Sequence, residues 1–276
     1  REYMAATYLV NAGEARLLAQ VLAHAPRPDE WWEQVLLLAG AHPELSDKAA
    51  GRLIAALLER EDLEYARLAA RCAGDMTDKL PGPSRKRLQD WLIAVLADAA
   101  HPARARARAG DALALVGDPR PGVGLRPDGL PDVVWCPVPA GPFVMGTREG
   151  DIPALVKRLG GKAEWYEREA PQHTVKLPAF WMSQYPVTNA QYAAFVRDGG
   201  YTERWRGCWT DAGWRWKGER AGPEKASDPF DLPNHPVVRV TWYEAVAYCR
   251  WLTQRLREGA GGREGEPADP ALWEGL

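Results

Sequence analysis

The residue types most able to do chemistry are concentrated in one segment, 201–216, which reads YTERWRGCWTDAGWRW. Tryptophan faces bind flat or cationic ligands, and arginine adds a cation that can stack on them. The candidate ligand-binding residues are therefore the aromatic and cationic side chains Trp209, Trp214, Arg215 and Trp216. Arginine and tryptophan are also common anchors of protein interfaces. The alternative interpretation is structural, with the same tryptophans packing loops that lack regular secondary structure.

Two histidines in the second half of the chain, His173 and His235, are candidates for acid–base or metal chemistry. His173 lies on a predicted strand with no acidic or sulfur residue at ligand spacing, and Asp231 is only a weak partner for His235. We therefore interpret both histidines as structural. The sequence predicts no catalytic residue and no metal site within this chain.

The four cysteines, Cys72, Cys136, Cys208 and Cys249, lie far apart in the sequence. Because none of them forms a C-x-x-C pair, a structural zinc site is not expected. The pattern favours free thiols in a reducing compartment, the cytoplasm. Cys249 falls on the apolar side of a predicted helix, where a buried and unreactive thiol is the simplest interpretation.

Composition disfavours several functional classes. The net charge is −2, whereas general binding of nucleic acid needs a basic excess or a concentrated basic patch. No stretch approaches the ~20 apolar residues of a membrane span. The segments GPFVMG and GDPRPGVG lack the lysine and Ser/Thr of a phosphate-binding loop. The sequence thus predicts no nucleic-acid or membrane partner, and it does not identify the protein or small-molecule ligand.

Two regions of different composition must position these residues. Residues 1–117 are rich in Ala, Leu and Arg, whereas later residues are rich in Trp, Pro, Gly and Val. Between them, seven of the fourteen residues in segment 118–131 are Pro or Gly, so neither helix nor strand can persist there. We predict an α+β protein with a helical domain over 1–117, a linker over 118–131 and a second domain over 132–276.

The first region predicts roughly six short helices from the spacing of its apolar residues. Ser46 or Asp47 can cap one of these helices, and Pro102 suits the first turn of the last one. That last helix and its exit turn, 104–120, resemble a HEAT-type repeat, so a HEAT-like helical array is expected. Buried helix faces are predicted at Leu17, Leu18, Val21 and Leu22, and more loosely at Val35, Leu36 and Leu38.

The last helix of this region carries three arginines, Arg104, Arg106 and Arg108. Each lies about 200° around the helix from the one before. They therefore form no single basic stripe, and we expect them on a solvated face.

The second region predicts short strands and two capped helices. Thr188 with Gln191, and Thr241 with Glu244, have the spacing of a capping box at a helix start. A further helix is expected around Leu155–Leu159. The expected strands are Val133–Val138, Pro142–Gly146, His173–Leu177 and Ala179–Tyr185. The expected buried helix faces are Tyr192, Phe195 and Val196 in one helix, and Ala245, Val246, Tyr248, Cys249 and Leu252 in the other.

Four separated segments of the second region resemble, in order and spacing, a formylglycine-generating-enzyme-like domain, also called a sulfatase-modifying-factor domain. The resemblance implies a C-type-lectin-like fold, and it covers the first half of such a domain. The segments are PVPAGPFVMGT (Pro137–Thr147), EAPQHTVKL (Glu169–Leu177), FWMSQYPVTNAQYAAFV (Phe180–Val196) and HPVVRVTWYEAVAYCRWL (His235–Leu252).

In the family that these segments resemble, a pair of cysteines binds copper and oxidises a substrate cysteine to formylglycine. That pair and the calcium-binding loops lie in the second half of the domain, and none of Cys136, Cys208 or Cys249 matches its position. The resemblance therefore carries over no catalytic residue. It implies that this chain has no oxidase activity of its own, with no cofactor in this segment and with calcium or copper bound only in the second half.

Three functional hypotheses follow. The first is a recognition module on a lectin-like scaffold, used in a sensor or as the diversified binding protein of a diversity-generating retroelement. The second is a copper-dependent oxidase that forms formylglycine, or a relative that uses iron for sulfur oxidation. The third is a structural module for assembly. Both forms of the first hypothesis, the sensor and the retroelement binding protein, rest on analogy at the level of the fold, and the sequence favours the recognition module.

Overall fold

The computed structural model describes residues 1–24, 35, 39, 42–75, 81–225 and 230–258. Contacts divide the chain into two compact units, and each unit is discontinuous in sequence. The first unit combines Arg1–Asp132 with Pro186–Leu252, and the second combines Val133–Tyr185 with Thr253–Leu276. Many helices and a few short strands make up the described part, which confirms the α+β class. The domain boundaries at 117 and 131, the HEAT-like array and the lectin-like topology stay predictions.

The described residues of the N-terminal part of the first unit include six helices. Apolar residues at helical spacing bury one face of each: Leu17 and Val21 are 2 % exposed, and Ser46 caps the third helix by accepting from the Ala49 N–H at 3.3 Å. Leu36 and Leu38 lie outside the described residues. The helices are α1 (Glu2–Asn11), α2 (Glu14–His24), α3 (Asp47–Leu58), α4 (Leu63–Asp75), α5 (Gly82–Ala97) and α6 (Ala103–Leu115).

Helix α6 begins directly after Pro102, as the sequence predicts. It packs against α4 and α5 through Ala109, Ala112 and Leu113, all of which are buried. The core that these helices share consists largely of alanine and branched aliphatic side chains. None of the described helices is long and apolar enough to cross a membrane.

The segment 118–131 has no helix, but hydrogen bonds attach it to the rest of the first unit: the Thr188 hydroxyl donates to the Val123 carbonyl at 2.8 Å, and Gln191 Nε2 donates to the Gly122 carbonyl at 3.2 Å. The Arg126 N–H donates to the Leu130 carbonyl at 2.8 Å, and Leu125 forms an isolated antiparallel bridge with Pro131. Val123 and Leu130 are buried. Proline and glycine thus prevent regular structure here without leaving the segment unattached.

The remainder of the first unit contains α9 (Asn189–Arg197), a 3₁₀ turn at Glu203–Cys208, α10 (Asp211–Lys217) and most of α11 (Trp242–Glu258). The last residues of α11, from Thr253 onward, are assigned to the second unit. Both predicted capping boxes are present. The Thr188 hydroxyl accepts from the Gln191 N–H while Gln191 Oε1 accepts from the Thr188 N–H. Thr241 and Glu244 make the same exchange at the start of α11.

The predicted buried face of α11 is partly wrong. Ala245 and Cys249 are exposed, and Val246 is only half-buried. The buried positions are instead Glu244, Ala247, Tyr248, Trp251 and Leu252, which follow a helix repeat of i, i+3, i+4, i+7 and i+8. The observed face differs because Glu244, a charged residue, takes a core position at the start of the helix, and the spacing of apolar residues does not indicate this.

The second unit is built from two antiparallel strand pairs. Trp135 lies opposite Ser183 where the first strand pairs with the fourth, and Met145 lies opposite His173 where the second pairs with the third. All four predicted strands are confirmed to within two residues. The elements are β1 (Trp135–Val138), β2 (Gly141–Met145), a 3₁₀ turn (Glu149–Asp151), α7 (Ile152–Leu159), α8 (Ala163–Glu167), β3 (His173–Leu177) and β4 (Phe180–Ser183).

Candidate functional site

An aromatic cluster holds α9 and α11 together in the first unit. Phe195 is fully buried, and its ring lies 5.4 Å from Trp251 and 6.0 Å from Tyr248, measured between ring centroids. Tyr192 stacks on Tyr248 at 5.3 Å. Such ring pairs stabilise a core beyond the area they bury. The two helices that begin with capping boxes are thereby fixed against each other.

A buried carboxylate lies at the edge of this cluster. Glu244 is 1 % exposed, and its Oε1 accepts the Tyr201 hydroxyl at 2.6 Å. Its Oε2 accepts the Thr241 N–H at 2.8 Å and the Thr241 hydroxyl at 2.9 Å. The Tyr201 hydroxyl also lies 3.0 Å from that of Tyr192. Every carboxylate oxygen is therefore hydrogen-bonded, which is the condition for burying such a group.

The two tyrosines of this network are neutral hydrogen-bonding groups. Burial raises the pKa of Tyr201 and of Tyr192 well above the usual value of a phenol. The sequence predicts Glu244 only as a helix cap. Its second role, as the acceptor for Tyr201, depends on a contact between residues 43 positions apart, which no local pattern reveals.

The four predicted ligand-binding residues occupy different environments. Trp209 is 3 % exposed, its indole N–H donates to the Gly200 carbonyl at 2.8 Å, and its ring lies 5.1 Å from Tyr201. Trp214 is half-buried, with the Lys217 ammonium 4.5 Å above its ring. These contacts make Trp209 a core residue whose ring offers no open face to a ligand.

Trp216 and Arg215 lie nearer the surface. Trp216 is half-buried and Arg215 is exposed. The Trp216 ring lies 6.0 Å from Tyr243 and carries the Arg220 guanidinium at 4.5 Å. The four predicted ligand-binding residues thus differ in exposure: Trp209 is packed in the core, and Trp216 lies nearer the surface. The role of this cluster in ligand binding stays a prediction.

The two candidate histidines do not share a site. His173 is exposed, and its Nδ1 lies 3.0 Å from the Pro171 carbonyl. His235 is held by Asp111 of α6, with Nε2 2.9 Å from Oδ1, so its acidic partner is not the nearby Asp231 that the sequence offers. The pair spans 124 positions, and sequence reasoning missed it for that reason.

A second long-range contact lies beside this pair and was also missed. The Arg120 guanidinium donates to both carboxylate oxygens of Asp118, and Asn234 Nδ2 donates to Asp118 Oδ2 at 3.0 Å. Burial opposes the ionisation of Asp118, but the hydrogen bonds from Arg120 and Asn234 outweigh it and lower the pKa of Asp118 below its usual value. Asp118 is therefore a charged and fully partnered group at the end of α6.

The four cysteines are the residues that could bind copper, the metal that the resemblance implies. None of the four forms a disulfide. Cys72 and Cys208 are buried, whereas Cys136 and Cys249 are exposed, which corrects the buried position predicted for Cys249. Burial raises the pKa of the Cys208 thiol, which disfavours the reactive thiolate. Within the described ranges, no three His, Cys, Asp or Glu side chains are grouped so that they could hold a metal ion.

Comparison with known proteins identifies the second region. Residues 126–260 match the model of the sulfatase-modifying factor enzyme 1-like domain. A hercynine oxygenase from Mycolicibacterium thermoresistibile is 37% identical over 156 residues, which cover 51% of this chain and 32% of that protein. A formylglycine-generating enzyme from Thermomonospora curvata is 36% identical over 135 residues, which cover 38% of this chain and 44% of that enzyme.

A formylglycine-generating enzyme from Bos taurus is 32% identical over 156 residues, which cover 46% of this chain and 37% of that enzyme. The chain therefore spans less than half of the length of each of these three relatives. All three are named as enzymes. The comparisons thus favour the enzyme hypothesis over the recognition module that the sequence favours.

Proposed function

We propose that this chain is part of an enzyme that carries out an oxidation. The premise is that residues 126–260 form a sulfatase-modifying factor enzyme 1-like domain. One group of relatives carries the name oxygenase and the other the name formylglycine-generating enzyme. The observation that carries the proposal is that this chain aligns with proteins of both names, over 51% and 38% of its length. We also propose a reducing compartment, the cytoplasm, because none of the four cysteines is in a disulfide.

The described residues do not fit the metal that the resemblance implies. A site with three or more ligands needs His, Cys or carboxylate groups in one place, and no such group of three occurs in the described part of the chain. Cys208 and Cys136 belong to different compact units, and the Cys208 thiol is buried. We therefore assign no reaction step to these residues and expect the reactive groups outside the described ranges.

The role that we assign to the described residues is that of a framework. The aromatic cluster and the hydrogen bonds of Glu244 fix the starts of α9 and α11, from which the loops of the domain extend. Reactive groups need supporting residues whose own positions are locked by packing and hydrogen bonds. The Phe195 and Glu244 network meets this condition because both side chains are fully buried.

The test is oxygen consumption by the full-length protein, loaded with copper in one series and with iron in another. One substrate is a peptide with a single cysteine, and its matched control has serine in place of that cysteine. The second substrate is hercynine together with a thiol. We expect oxygen uptake with one substrate, with mass spectrometry showing either a peptide aldehyde or an oxidised hercynine product. No oxygen uptake in any combination would contradict the proposal.

A recognition function is the second candidate, and one observation favours it. Trp216 carries the Arg220 guanidinium over its ring and adjoins the exposed Arg215, an arrangement suited to an acidic, aromatic peptide. The test is a fluorescence titration of a labelled peptide that contains glutamate and tyrosine. Under this function Trp216→Ala abolishes binding, while the matched control Trp165→Ala, an exposed tryptophan of the second unit, leaves it unchanged. Equal affinities in both variants would exclude this surface.

A further inference from the structure

A cavity of about 320 Å³ lies in the second unit, between one side of α7 and the end of the β2–β3 strand pair. Its volume lies near the lower end of the range of small-molecule sites. Three of the lining residues carry a charge: Arg148, Asp151 and Arg158. All three residues are exposed, so a small molecule in the cavity can reach their charged groups.

One wall of the cavity is a single side of α7. Asp151 directly precedes the helix, and the other lining residues of this wall follow at the spacing of one helix face: Ala154, Leu155 and Arg158. About 10 Å of helix separates the backbones of Asp151 and Arg158. This wall therefore presents a carboxylate at one end, a guanidinium at the other and apolar side chains between them.

The opposite wall holds a second guanidinium in a fixed position. Arg148 Nε donates to Gln172 Oε1 at 2.8 Å, and Gln172 Nε2 donates to the Gly146 carbonyl at 3.2 Å. The amide of Gln172 thus links the Arg148 side chain to the backbone that follows β2. The two terminal nitrogens of Arg148 make no hydrogen bond within the described ranges, and a guanidinium can bind a carboxylate through such nitrogens.

The three charged groups have no partners of their own in the part of the chain that the structure describes. Neither guanidinium forms an ion pair there, and the Asp151 carboxylate accepts no hydrogen bond. The Glu169 carboxylate lies outside the lining and accepts the Thr147 hydroxyl at 2.7 Å. Two guanidinium groups and one carboxylate leave the lining with a net charge of +1. A ligand that pairs with all three groups needs two anionic groups and one cationic group.

We propose that this cavity binds a free acidic amino acid, glutamate or aspartate. Its ammonium group pairs with Asp151, and its two carboxylates pair with Arg148 and Arg158. Its methylene groups lie against Ala154 and Leu155, the apolar residues of the helix wall. Such an amino acid carries one net negative charge, which complements the charge of the lining. The site does not rest on the oxidative function proposed above, because its lining contains no cysteine and no histidine.

The test is isothermal titration of the full-length protein with glutamate, with aspartate and with two analogues that each lack one charged group. Glutarate has no ammonium group, and 4-aminobutyrate has a single carboxylate. Low ionic strength is used because salt screens exposed charges. We expect saturable binding of glutamate or aspartate and about tenfold weaker binding of each analogue, the loss that follows from removing one hydrogen bond between ionised groups.

Two variants locate the binding in this cavity. Arg158→Gln should weaken glutamate binding about tenfold, whereas Lys157→Gln, which removes the same charge from an exposed position of the same helix outside the lining, should leave it unchanged. Asp151→Asn should weaken the binding of glutamate and strengthen that of glutarate, because it removes a carboxylate that attracts an ammonium group and repels an anion. Its control is Glu149→Gln, at an exposed position outside the lining.

A third variant tests the space itself. Ala154 is exposed and lines the cavity, so Ala154→Phe fills the space without entering a core and should abolish binding. Four results would each overturn the proposal: no saturable binding of glutamate or aspartate, glutarate binding as tightly as glutamate, Arg158→Gln binding as well as Lys157→Gln, or Ala154→Phe binding as well as the unchanged protein.

Discussion

The two compact units bury their apolar residues to very different extents. In the first unit, α9 and α11 enclose Phe195 and Trp251, which are 0 % and 1 % exposed. Among the described residues of the second unit, Thr147 and Ile152 are the only buried ones, although its strands form two antiparallel pairs. Large apolar side chains project from these strands into solvent: Phe143, Val144, Met145, Leu177 and Met182.

The comparison shows that the strands of the second unit are paired although few of its described residues are buried. Two-stranded antiparallel pairs are marginally stable without a hydrophobic face that packs on something else. The aromatic cluster of the first unit provides such packing for its helices, and the described second unit has little of it. We therefore expect the free energy of unfolding of this chain to depend on residues of the first unit and to respond weakly to changes in the second.

The largest effect is expected from the matched pair Phe195→Ala and Phe143→Ala. Phe195 is fully buried among four aromatic rings, so its truncation should lower the free energy of unfolding by about 3–5 kcal/mol. Phe143 is 43% exposed, and its truncation should lower it by less than about 1 kcal/mol. Urea denaturation monitored by tryptophan fluorescence measures both. Similar losses of unfolding free energy in the two variants would contradict the expected difference between the two units.

The next largest loss of unfolding free energy is expected from removing the buried carboxylate of Glu244. Glu244→Ala removes the acceptor of the Tyr201 hydroxyl and of the Thr241 N–H and hydroxyl, and it leaves the Tyr192 hydroxyl as the neighbour of the buried Tyr201 hydroxyl. We expect a loss of about 3 kcal/mol in the free energy of unfolding, in the range for a broken buried network. Glu164→Ala, at an exposed position of the second unit, is the control and should change it by less than about 0.5 kcal/mol.

A third effect depends on pH. The pKa of Asp118 is lowered in the folded protein, so its contribution to stability is fully present above the unfolded pKa of about 3.9. That contribution is lost as the pH falls below this value and through the folded pKa. Asp118→Asn should therefore lower the free energy of unfolding by about 2 kcal/mol at neutral pH. Below about pH 3.9 the difference should shrink, and an equal difference in acid and at neutral pH would be inconsistent with this role.

Helix caps formed by residues close in sequence were predictable, whereas contacts between residues far apart in sequence were not. The capping boxes at Thr188 and Thr241 follow from residues three positions apart, and both are present. The pairing of His235 with Asp111 and the contact of Asn234 with Asp118 join residues more than 100 positions apart. Burial of Glu244 escaped prediction for the same reason, because the hydrogen bond to its Oε1 comes from the distant Tyr201.

The smallest effect on global stability is expected from Gly146, at the end of β2. Its φ of +89° favours glycine, and a Cβ atom there would lie 2.4 Å from the Glu169 carbonyl oxygen. Gly146→Ala should therefore open the β2–β3 pair, yet the global loss is limited to the small free energy that this pair contributes, about 1 kcal/mol. Hydrogen exchange should become faster at His173–Leu177 and stay unchanged in α9 and α11. The control is Gly150→Ala, where a Cβ atom would meet nothing within 4 Å. A large shift of the urea midpoint in Gly146→Ala would show instead that the strand pairs unfold together with the aromatic core.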